Sequence, residues 1–543
     1  MHGRVKVRTS AEQERIREAE KRKKALAFKK GVELIFEKRK NGDLDDEILV
    51  MTEKLLAQLP DVYTLWNIRR EALLNNNWSD DERVEKLEKE LPLTETCLRE
   101  NPKSYCAWHH RQWVIEYLPY PNWQRELNLC NKCLNLDDRN FHCWNYRRFV
   151  VLKACVSDEE ELDFTTNKIM NNFSNYSSWH YRSKLLPKLY PSDAHDLPIR
   201  SDKYNEELDI VMNATFTDPN DTSAWFYQRW LLNYWEPSST LWQAMCFDTK
   251  VIAVFYKEVP ADLKLFVDSE EINCQWISVT GKKFSTVWYT EISGNPIDTS
   301  RKVSLMFLSV SYELIPCNIQ NVRIYKSNVQ TTNCNSSQLK EQLESYRTLV
   351  ELEPDNKWAR LTSLHLMSLL DFQHNFADIL KELERLVEMD PLRVNYYKDM
   401  RSKYIIRHRL NSDNDPNESH EIDLCGLGLT TLADQGHYLT FYRDINISNN
   451  NLGEKLHQIK TLHECKKLDL ANNHITSLKE FPILPNLEIL LLSSNQISEY
   501  REILIIVKNH NLRKLDLREN PIADRESLIS DMKKLYAQVE VII

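Results

Sequence analysis

The sequence of 543 residues has little glycine and no long hydrophobic run. It contains only 9 glycines, and no Walker loop, GxSxG or HExxH motif occurs, so phosphate-cradling loops, serine hydrolases and zinc peptidases are not indicated. No stretch approaches 18 consecutive apolar residues, and the N-terminus lacks the apolar segment of a secretion signal. We therefore expect a cytoplasmic chain without a transmembrane segment.

The charge balance and the cysteines exclude further classes. A formal net charge of −9 argues against a nucleic-acid partner, because such binders carry a basic balance. The 12 cysteines follow no regular spacing, which fits reduced thiols rather than a disulfide framework. Cys130 and Cys133 form one CxxC inside a helical pattern. Without a second pair they predict core packing rather than a zinc site.

A tryptophan-containing motif recurs along the first half of the chain. One copy reads NPKSYCAWHHR, and successive tryptophans are 35 to 46 residues apart. This period predicts helix hairpins stacked side by side, each burying its neighbour's apolar face. We expect each tryptophan to pack between hairpins, with an arginine three or four residues later on the same helix face. The tryptophans are Trp66, Trp108, Trp144, Trp179 and Trp225, and the arginines are Arg69, Arg111, Arg147, Arg182 and Arg229.

Around Met245 the helical period breaks. Short runs such as VIAVFYKEV and STVWYTEI alternate with Gly- and Pro-containing segments, which predicts an antiparallel β-sandwich of immunoglobulin-like type. The helical pattern returns near Ser337, and further repeat copies follow at Glu353 and Asp390. The sandwich therefore interrupts the helical domain, and we interpret it as a side module.

After a polar linker at 411–419 the repeat changes kind. Five frames match LxLxxNxL with key positions 22 to 25 residues apart, which predicts leucine-rich repeats whose asparagines satisfy backbone groups behind each strand. The first frame has leucine at the key position, as an end repeat tolerates. The key positions are Leu427, Asn450, Asn473, Asn495 and Asn520.

None of these three architectures supplies a complete catalytic constellation. A helical solenoid, a sandwich and leucine-rich repeats together describe a scaffold. One hypothesis is therefore a non-catalytic protein that uses its repeats to bind other proteins.

The repeat motif itself points further. Serial copies of P-x-[NS]-Y-x-x-W-x-x-R, as in NPKSYCAWHHR and NFSNYSSWHYR, resemble the α-subunit repeats of protein prenyltransferases over about residues 45–235 and 337–410. An ordinary tetratricopeptide array has no such Trp and Arg spacing. The added sandwich and leucine-rich repeats are most similar to Rab geranylgeranyltransferase α subunits, since farnesyltransferase α subunits have neither.

The resemblance implies a mainly α fold class. We expect an α-α superhelix of prenyltransferase α-subunit helical hairpin repeats, with an inserted β-sandwich and a C-terminal leucine-rich repeat domain. The expected domains are the first part of the helical repeats at 1–246, the sandwich at 247–336, the last helical repeats at 337–411 and the leucine-rich repeats at 412–543.

The resemblance also implies an enzyme subunit. In that family a β subunit holds zinc and the lipid pocket, and the cysteine thiolate of the substrate attacks C1 of geranylgeranyl diphosphate. The expected partners are therefore this β subunit, geranylgeranyl diphosphate, an escort protein and the Rab GTPases that it presents with their C-terminal cysteines. The α subunit is expected to help where negative charge accumulates on the departing diphosphate.

Four residues match the family's positions near that diphosphate. The NPKSY motif places the catalytic lysine at Lys103, and Tyr105 matches a family tyrosine beside the same pocket. In RNFHCW, Asn140 and His142 match positions that face the pocket from the next repeat. From the residues alone, Lys103 would be a solvated cation and His142 an ordinary hydrogen-bonded histidine.

Two further residues bear on the resemblance. Enzymes that read a C-terminal CaaX box have a glutamine after the matching tyrosine, but this chain has Cys106, whose thiol is a weak donor. An α subunit for CaaX substrates is thus disfavoured. A mobile N-terminal arm that carries His2 is a hypothetical ligand of the partner's zinc, blocking the site until substrate displaces it.

Overall fold

The computed structural model divides the chain into two compact units, Met1–Pro191 and Ser192–Ile543. None of the helices that it describes is long and apolar enough to cross a membrane. The described residues are 11–74, 78–192, 197–232, 241–247, 249–292, 297, 300–317, 322–327, 336–412, 420–522 and 525–543.

The first unit consists of helices that pair as hairpins, with α2 packed on α3, α4 on α5, α6 on α7 and α8 on α9. Helix starts are fixed by side-chain caps. At the start of α4, Ser79 and Glu82 form a reciprocal capping box. The helices are α1 Ala11–Asn41, α2 Asp46–Leu56, α3 Tyr63–Leu73, α4 Asp80–Glu100, α5 Tyr105–Tyr117, α6 Trp123–Leu136, α7 Phe141–Ala154, α8 Asp158–Asn171 and α9 Tyr176–Leu189.

Each repeat tryptophan fastens its helix to the turn that precedes it. The indole Nε1 donates to the carbonyl oxygen six residues earlier, and the ring is buried among the hairpins. This contact explains why the motif requires a tryptophan, which has one donor on a large apolar ring. The distances are 2.7 Å for Trp66 to Pro60, 2.9 Å for Trp108 to Pro102, 2.7 Å for Trp144 to Asp138 and 2.7 Å for Trp179 to Phe173.

The repeat arginines form buried ion pairs between successive hairpins. Arg111 of α5 donates through Nε and Nη2 to both carboxylate oxygens of Glu126 in α6, each at 2.7 Å. Tyr146 of α7 donates to the same carboxylate at 2.7 Å. One glutamate thus joins two hairpins. The same arrangement links Arg69, Glu90 and His110, and Arg147 likewise pairs with Glu161.

The second unit begins with another hairpin and resumes the helical pattern after the sandwich. Tyr346 joins the two parts, because its hydroxyl accepts from Gln228 at 2.6 Å and lies 3.2 Å from the Thr215 hydroxyl. The prediction that the helical domain is interrupted is confirmed. The helices are α10 Ser201–Thr217, α11 Thr222–Leu232, α12 Ser336–Leu352, α13 Lys357–Leu370, α14 Phe376–Met389 and α15 Val394–Ser412.

In this hairpin the expected role of Arg229 was wrong. The buried position three residues after Trp225 is occupied by Gln228, while Arg229 is partly exposed and donates to the Tyr396 hydroxyl at 3.1 Å. A neutral amide fits here because its partner, Tyr346, is a hydroxyl and not a carboxylate.

Nine strands form one antiparallel sheet that folds over its own core. The order is β4-β3-β7-β8-β9-β1-β2-β6-β5, and Phe255 and Phe307 from its two halves are in contact, with ring centroids 5.0 Å apart and ring planes tilted by 59°. The strands are β1 Leu241–Cys246, β2 Lys250–Val259, β3 Leu263–Val267, β4 Glu270–Ile272, β5 Ile277–Ser278, β6 Ser285–Glu291, β7 Val303–Phe307, β8 Val310–Pro316 and β9 Arg323–Lys326.

The sandwich was expected to begin at residue 247, but strand β1 lies before that boundary. This strand pairs with both β2 and β9, so the sandwich already includes residue 241. Five of its six side chains are buried. A strand covered on both faces shows no alternation, which is why LWQAMC gave no strand signal.

The sandwich is not a side module, because its sheet packs on the leucine-rich repeats. Ile252 and Val254 of β2 share a buried cluster with Phe441. Nearby, the Lys250 ammonium donates to the Glu464 carboxylate at 2.7 Å.

The leucine-rich repeats form a six-stranded parallel sheet, and the asparagine ladder lies behind it as predicted. The Asn473 amide donates to the carbonyl oxygens of Ile447, Leu470 and Ala471 at 2.9 to 3.2 Å. The elements are β10 Glu421–Asp423, β11 Asp444–Asn446, β12 Lys467–Asp469, β13 Ile489–Leu491, α16 Tyr500–Asn509, β14 Lys514–Asp516, α17 Arg525–Leu535 and β15 Glu540–Ile542.

Candidate functional site

The four residues matched from the sequence lie where α5 and α7 begin, and Asn140 is the residue that caps α7. Lys103 lies in the turn before α5, and Tyr105 is the first residue of that helix, which Ser104 caps. His142 is the second residue of α7. Because successive hairpins stack in register, equivalent helix starts come together, and residues 39 apart in sequence become neighbours.

The Lys103 ammonium is accessible. Its side chain is 54% exposed, and Nζ lies 3.7 Å from Asp137 Oδ2, which is a loose ion pair at the surface. The backbone is better fixed, because Lys103 N donates to Asn101 Oδ1 at 3.1 Å. A fixed backbone with a weakly paired cation suits recruitment of an external anion.

Tyr105 and His142 form an aromatic pair beside this lysine. Their ring centroids are 4.2 Å apart and the rings are perpendicular. Tyr105 is 68% exposed, and its hydroxyl makes no hydrogen bond with any described residue. Burial lowers the pKa of His142, and the Lys103 cation lowers it further. The imidazole is therefore neutral near pH 7 and carries one N–H donor.

Asn140 lies at the site, but both its carboxamide oxygen and its carboxamide nitrogen already form hydrogen bonds within the protein. Its oxygen accepts from the backbone N–H groups of His142 and Cys143 at 3.1 and 3.3 Å. Its amide donates to the Pro102 carbonyl oxygen at 2.9 Å. Asn140 thus ties the start of α7 to the turn that carries Lys103. Its geometry supports a positioning role rather than a direct contact with a ligand.

Sequence reasoning missed a row of exposed aromatic rings. The residue three positions before each tryptophan opens the second helix of its hairpin. In four successive hairpins it is aromatic and exposed. The signal was available in the repeat alignment, but only Tyr105 was singled out. The row consists of Tyr63, Tyr105, Phe141 and Tyr176.

Sequence reasoning also missed Arg70, at the end of the neighbouring helix α3. Its Nη1 is buried without a hydrogen-bond partner among the described residues. The ring of Trp113 lies 6.0 Å from the guanidinium. Burial lowers the pKa of Arg70 and raises that of the Cys106 thiol nearby. Cys106 is therefore a neutral thiol at pH 7.

The described residues hold no group of three or more side chains that could bind a metal ion. Cys130 is buried in the core, and the Cys143 thiol donates to its carbonyl oxygen at 3.6 Å. His2, proposed as a ligand of a partner's zinc, lies outside the described residues.

Comparison with known proteins identifies both repeat types. The protein prenyltransferase alpha subunit repeat matches residues 87–118, 123–154, 158–189 and 204–235. A leucine-rich repeat family matches residues 405–542. Among solved structures, a geranylgeranyltransferase-I from Candida albicans, complexed with GGPP, covers 70% of this chain and 90% of its own at 18% identity. Its TM-score of 0.41 is too low to carry an argument.

Curated relatives match along the whole chain. The geranylgeranyl transferase type-2 subunit alpha of Homo sapiens is 34% identical over 571 residues and covers 100% of both chains. That of Rattus norvegicus is also 34% identical with full coverage of both. The Schizosaccharomyces pombe protein of the same name is 36% identical over 250 residues, 44% of this chain and 73% of its own. The chain therefore belongs to the family of geranylgeranyl transferase type-2 α subunits, which are prenyltransferase subunits.

Proposed function

We propose that this chain acts with a β subunit as a Rab geranylgeranyltransferase. The complex transfers a geranylgeranyl group from its diphosphate to the C-terminal cysteines of Rab GTPases, which an escort protein presents in the cytoplasm. The observation that carries the proposal is the exposed ammonium of Lys103, grouped with an unbonded tyrosine hydroxyl and a neutral imidazole at the start of two hairpins.

The zinc belongs to the β subunit in this proposal. The described part of this chain offers no ligand set for it. Bound there, zinc would supply the thiolate form of the substrate cysteine. This chain's contribution is to hold donors against the diphosphate.

Lys103 and Tyr105 carry the charge stabilisation. As the bond between C1 and the diphosphate oxygen breaks, negative charge grows on the leaving group, and preorganised donors stabilise that charge. The Lys103 ammonium exchanges its loose contact with Asp137 for the diphosphate. The Tyr105 hydroxyl and the His142 N–H add neutral donors, and Asn140 holds the Lys103 turn in place.

The test is a single-turnover assay of the complex with Lys103→Ala. We expect the heterodimer to form normally and the chemical step to slow by roughly 10²-fold, the scale of losing one transition-state donor. Lys466 supplies a matched control, because its side chain is 50% exposed and its Nζ lies 3.8 Å from Glu488. Lys466→Ala should leave the rate unchanged. A normal rate in Lys103→Ala would remove this residue from the mechanism.

His2 remains a proposed ligand of the β subunit's zinc in the unliganded complex. X-ray absorption of the zinc should then lose one nitrogen donor in His2→Ala. An identical spectrum would end this proposal without affecting the role of Lys103.

A further inference from the structure

A second concave site lies within the unit Ser192–Ile543, far along the sequence from Lys103. Its larger part is a cavity of about 450 Å³ between α11, α15 and the first leucine-rich repeat. A smaller cavity of about 100 Å³ reaches from it towards α13 and shares three of its lining residues. The shared residues are Arg229, Met400 and Tyr404.

The larger cavity has an excess of positive charge. Three cations line it. Lys403 is neutralised by Asp434, and the one acid in the wall, Asp399, is matched by Lys455 at 3.3 Å. The charges of Arg229 and Arg407 remain.

Neither arginine has a carboxylate partner among the described residues. Arg229 donates to the Tyr396 hydroxyl at 3.1 Å. Arg407 lies with its guanidinium carbon 4.4 Å from the Phe372 ring centroid. Burial lowers the pKa of Arg407, and the electrostatic interaction with Tyr404 opposes part of that shift. Arg229 is exposed, whereas Arg407 is half-buried, and a half-buried guanidinium without a carboxylate gains from an anion that joins it.

The smaller cavity is lined by a histidine, His365, one of whose ring nitrogens has no hydrogen-bond partner among the described residues. This nitrogen, Nε2, is buried. The ring also bonds the backbone of Leu232, and burial lowers its pKa to about 4. The imidazole is therefore neutral at pH 7, and its unpartnered Nε2 belongs to a residue that lines the cavity. Trp225 and Trp358 supply flat apolar surface beside it.

We propose that these joined cavities bind a small phosphate monoester with a hydroxyl-bearing body, and that this site is separate from the one at Lys103. A phosphate monoester carries close to two negative charges at pH 7 and matches the two guanidiniums that lack a carboxylate partner, whereas a carboxylate carries one. Planar guanidiniums bind phosphate oxygens in pairs. A ligand hydroxyl donates to His365 Nε2, and the combined volume suits a molecule of nucleotide size.

The test uses adenosine monophosphate as the probe, with adenosine and glycerol 3-phosphate as partial probes. Calorimetric titration of the full-length chain should give saturable binding of the monophosphate, at least about tenfold tighter than adenosine. Arg229→Gln and Arg407→Gln should each weaken it by about tenfold or more. Arg513→Gln is the matched control, because Arg513 is an exposed arginine paired with Glu488 in the same unit.

Further variants separate this site from the first. Lys103→Ala should bind the probe normally, and so should any variant that merely loses prenyl transfer. His365→Phe keeps an aromatic ring but removes the acceptor. It should weaken the binding of the monophosphate more than it weakens the binding of inorganic phosphate.

Three outcomes would overturn the inference. The first is no saturable binding of any phosphate probe to the unaltered chain. The second is equal binding to the Arg229 and Arg407 variants when their melting temperatures match the unaltered chain. The third is tighter binding of a phosphoserine peptide than of either small phosphate ester, which would assign the site to a protein ligand.

Discussion

Buried and exposed cations of one repeat have opposite physical roles. Arg111 is fully buried and divides its donors between Glu126, Thr94 and the Leu91 carbonyl oxygen. Lys103, eight residues earlier and half exposed, has one loose partner. A charge that is already bonded on every side stabilises the fold, whereas an unsatisfied one is available for a ligand.

Replacing Arg111 should therefore damage stability and not chemistry. Arg111→Ala leaves Glu126 as a buried carboxylate without its cation, and we expect a loss of about 3–5 kcal/mol in the free energy of unfolding. Urea unfolding followed by tryptophan fluorescence measures it. Arg125→Ala is the control, since Arg125 pairs with Glu95 at the surface and should cost below about 1 kcal/mol. Equal losses would contradict a special role for the buried pair.

A buried histidine gives the second unit a dependence on pH. Burial lowers the pKa of His437 to about 4, below its ordinary value of 6.5. The unfolded chain therefore binds a proton first as the pH falls. The contribution of His437 to the free energy of unfolding is fully present above pH 6.5. It is lost between pH 6.5 and about 4, by up to about 1.4 kcal/mol per pH unit.

The variant His437→Asn should make this decline shallower, because it removes one titrating group, while His365, whose pKa burial also lowers to about 4, still titrates. The measurement is urea unfolding of the full chain at pH 7, 6 and 5. His457→Asn serves as control, since His457 is exposed and its loss should leave the slope intact. A slope unchanged in His437→Asn would show that other groups govern the acid sensitivity.

At the scale of elements, the regular part of each repeat was predictable. The leucine-rich frames located β10 to β14, and the tryptophan period located the helix hairpins, because both patterns repeat a buried contact at fixed spacing. Repeats in which a different residue type makes the same contact were not predictable. In α13, Arg360 takes the tryptophan's place, and its Nε donates to the Pro354 carbonyl oxygen six residues earlier at 2.8 Å.

The sequence proposed four residues of the candidate site, but it gave no information on their contacts, and their roles stay predictions. Motif matching selected Lys103, Tyr105, Asn140 and His142, and the fold brings them together at two helix starts. Only the contacts of Asn140 reveal that it bridges to Pro102. Spacing also gives no information about Asp137, which meets Lys103 only because neighbouring hairpins align.

The asparagine ladder provides a prediction for a single element. Asn473 is fully buried and donates to three carbonyl oxygens, one of which, that of Ala471, also accepts from the backbone N–H of Asn449 at 2.8 Å. Asn473→Leu keeps the volume and removes the donors, so each group left unpaired should cost about 1–3 kcal/mol. Chemical unfolding of the full chain measures the loss. Asn451→Ala, at an exposed position, should be near neutral. A stable Asn473→Leu would mean that the ladder is dispensable.

At the scale of the second unit, strands buried on both faces reveal how its modules are joined. Val251, Ala253 and Phe255 of β2 face the sandwich core, while Ile252 and Val254 pack with Phe441 of the leucine-rich repeats. Burial alone would raise the pKa of Glu464, yet hydrogen bonds from His463 and Lys250 hold it at about 2. A strand that is apolar on both faces is stable only when both faces are covered. The sandwich and the leucine-rich repeats should therefore unfold together.

The Trp242 ring provides the test of this coupling. Trp242 belongs to β1, and its ring centroid lies 4.7 Å from that of Tyr438 in the leucine-rich repeats. Trp242→Ala removes a large apolar contact between the modules. We expect hydrogen exchange of the full chain to become faster both in Leu241–Cys246 and in Gly436–Leu439. Phe284→Ala removes an exposed ring of the sandwich and should leave the exchange rate of both segments unchanged. If exchange rises in the strand alone, the sandwich and the leucine-rich repeats unfold independently, because a shared layer would transmit the loss to both.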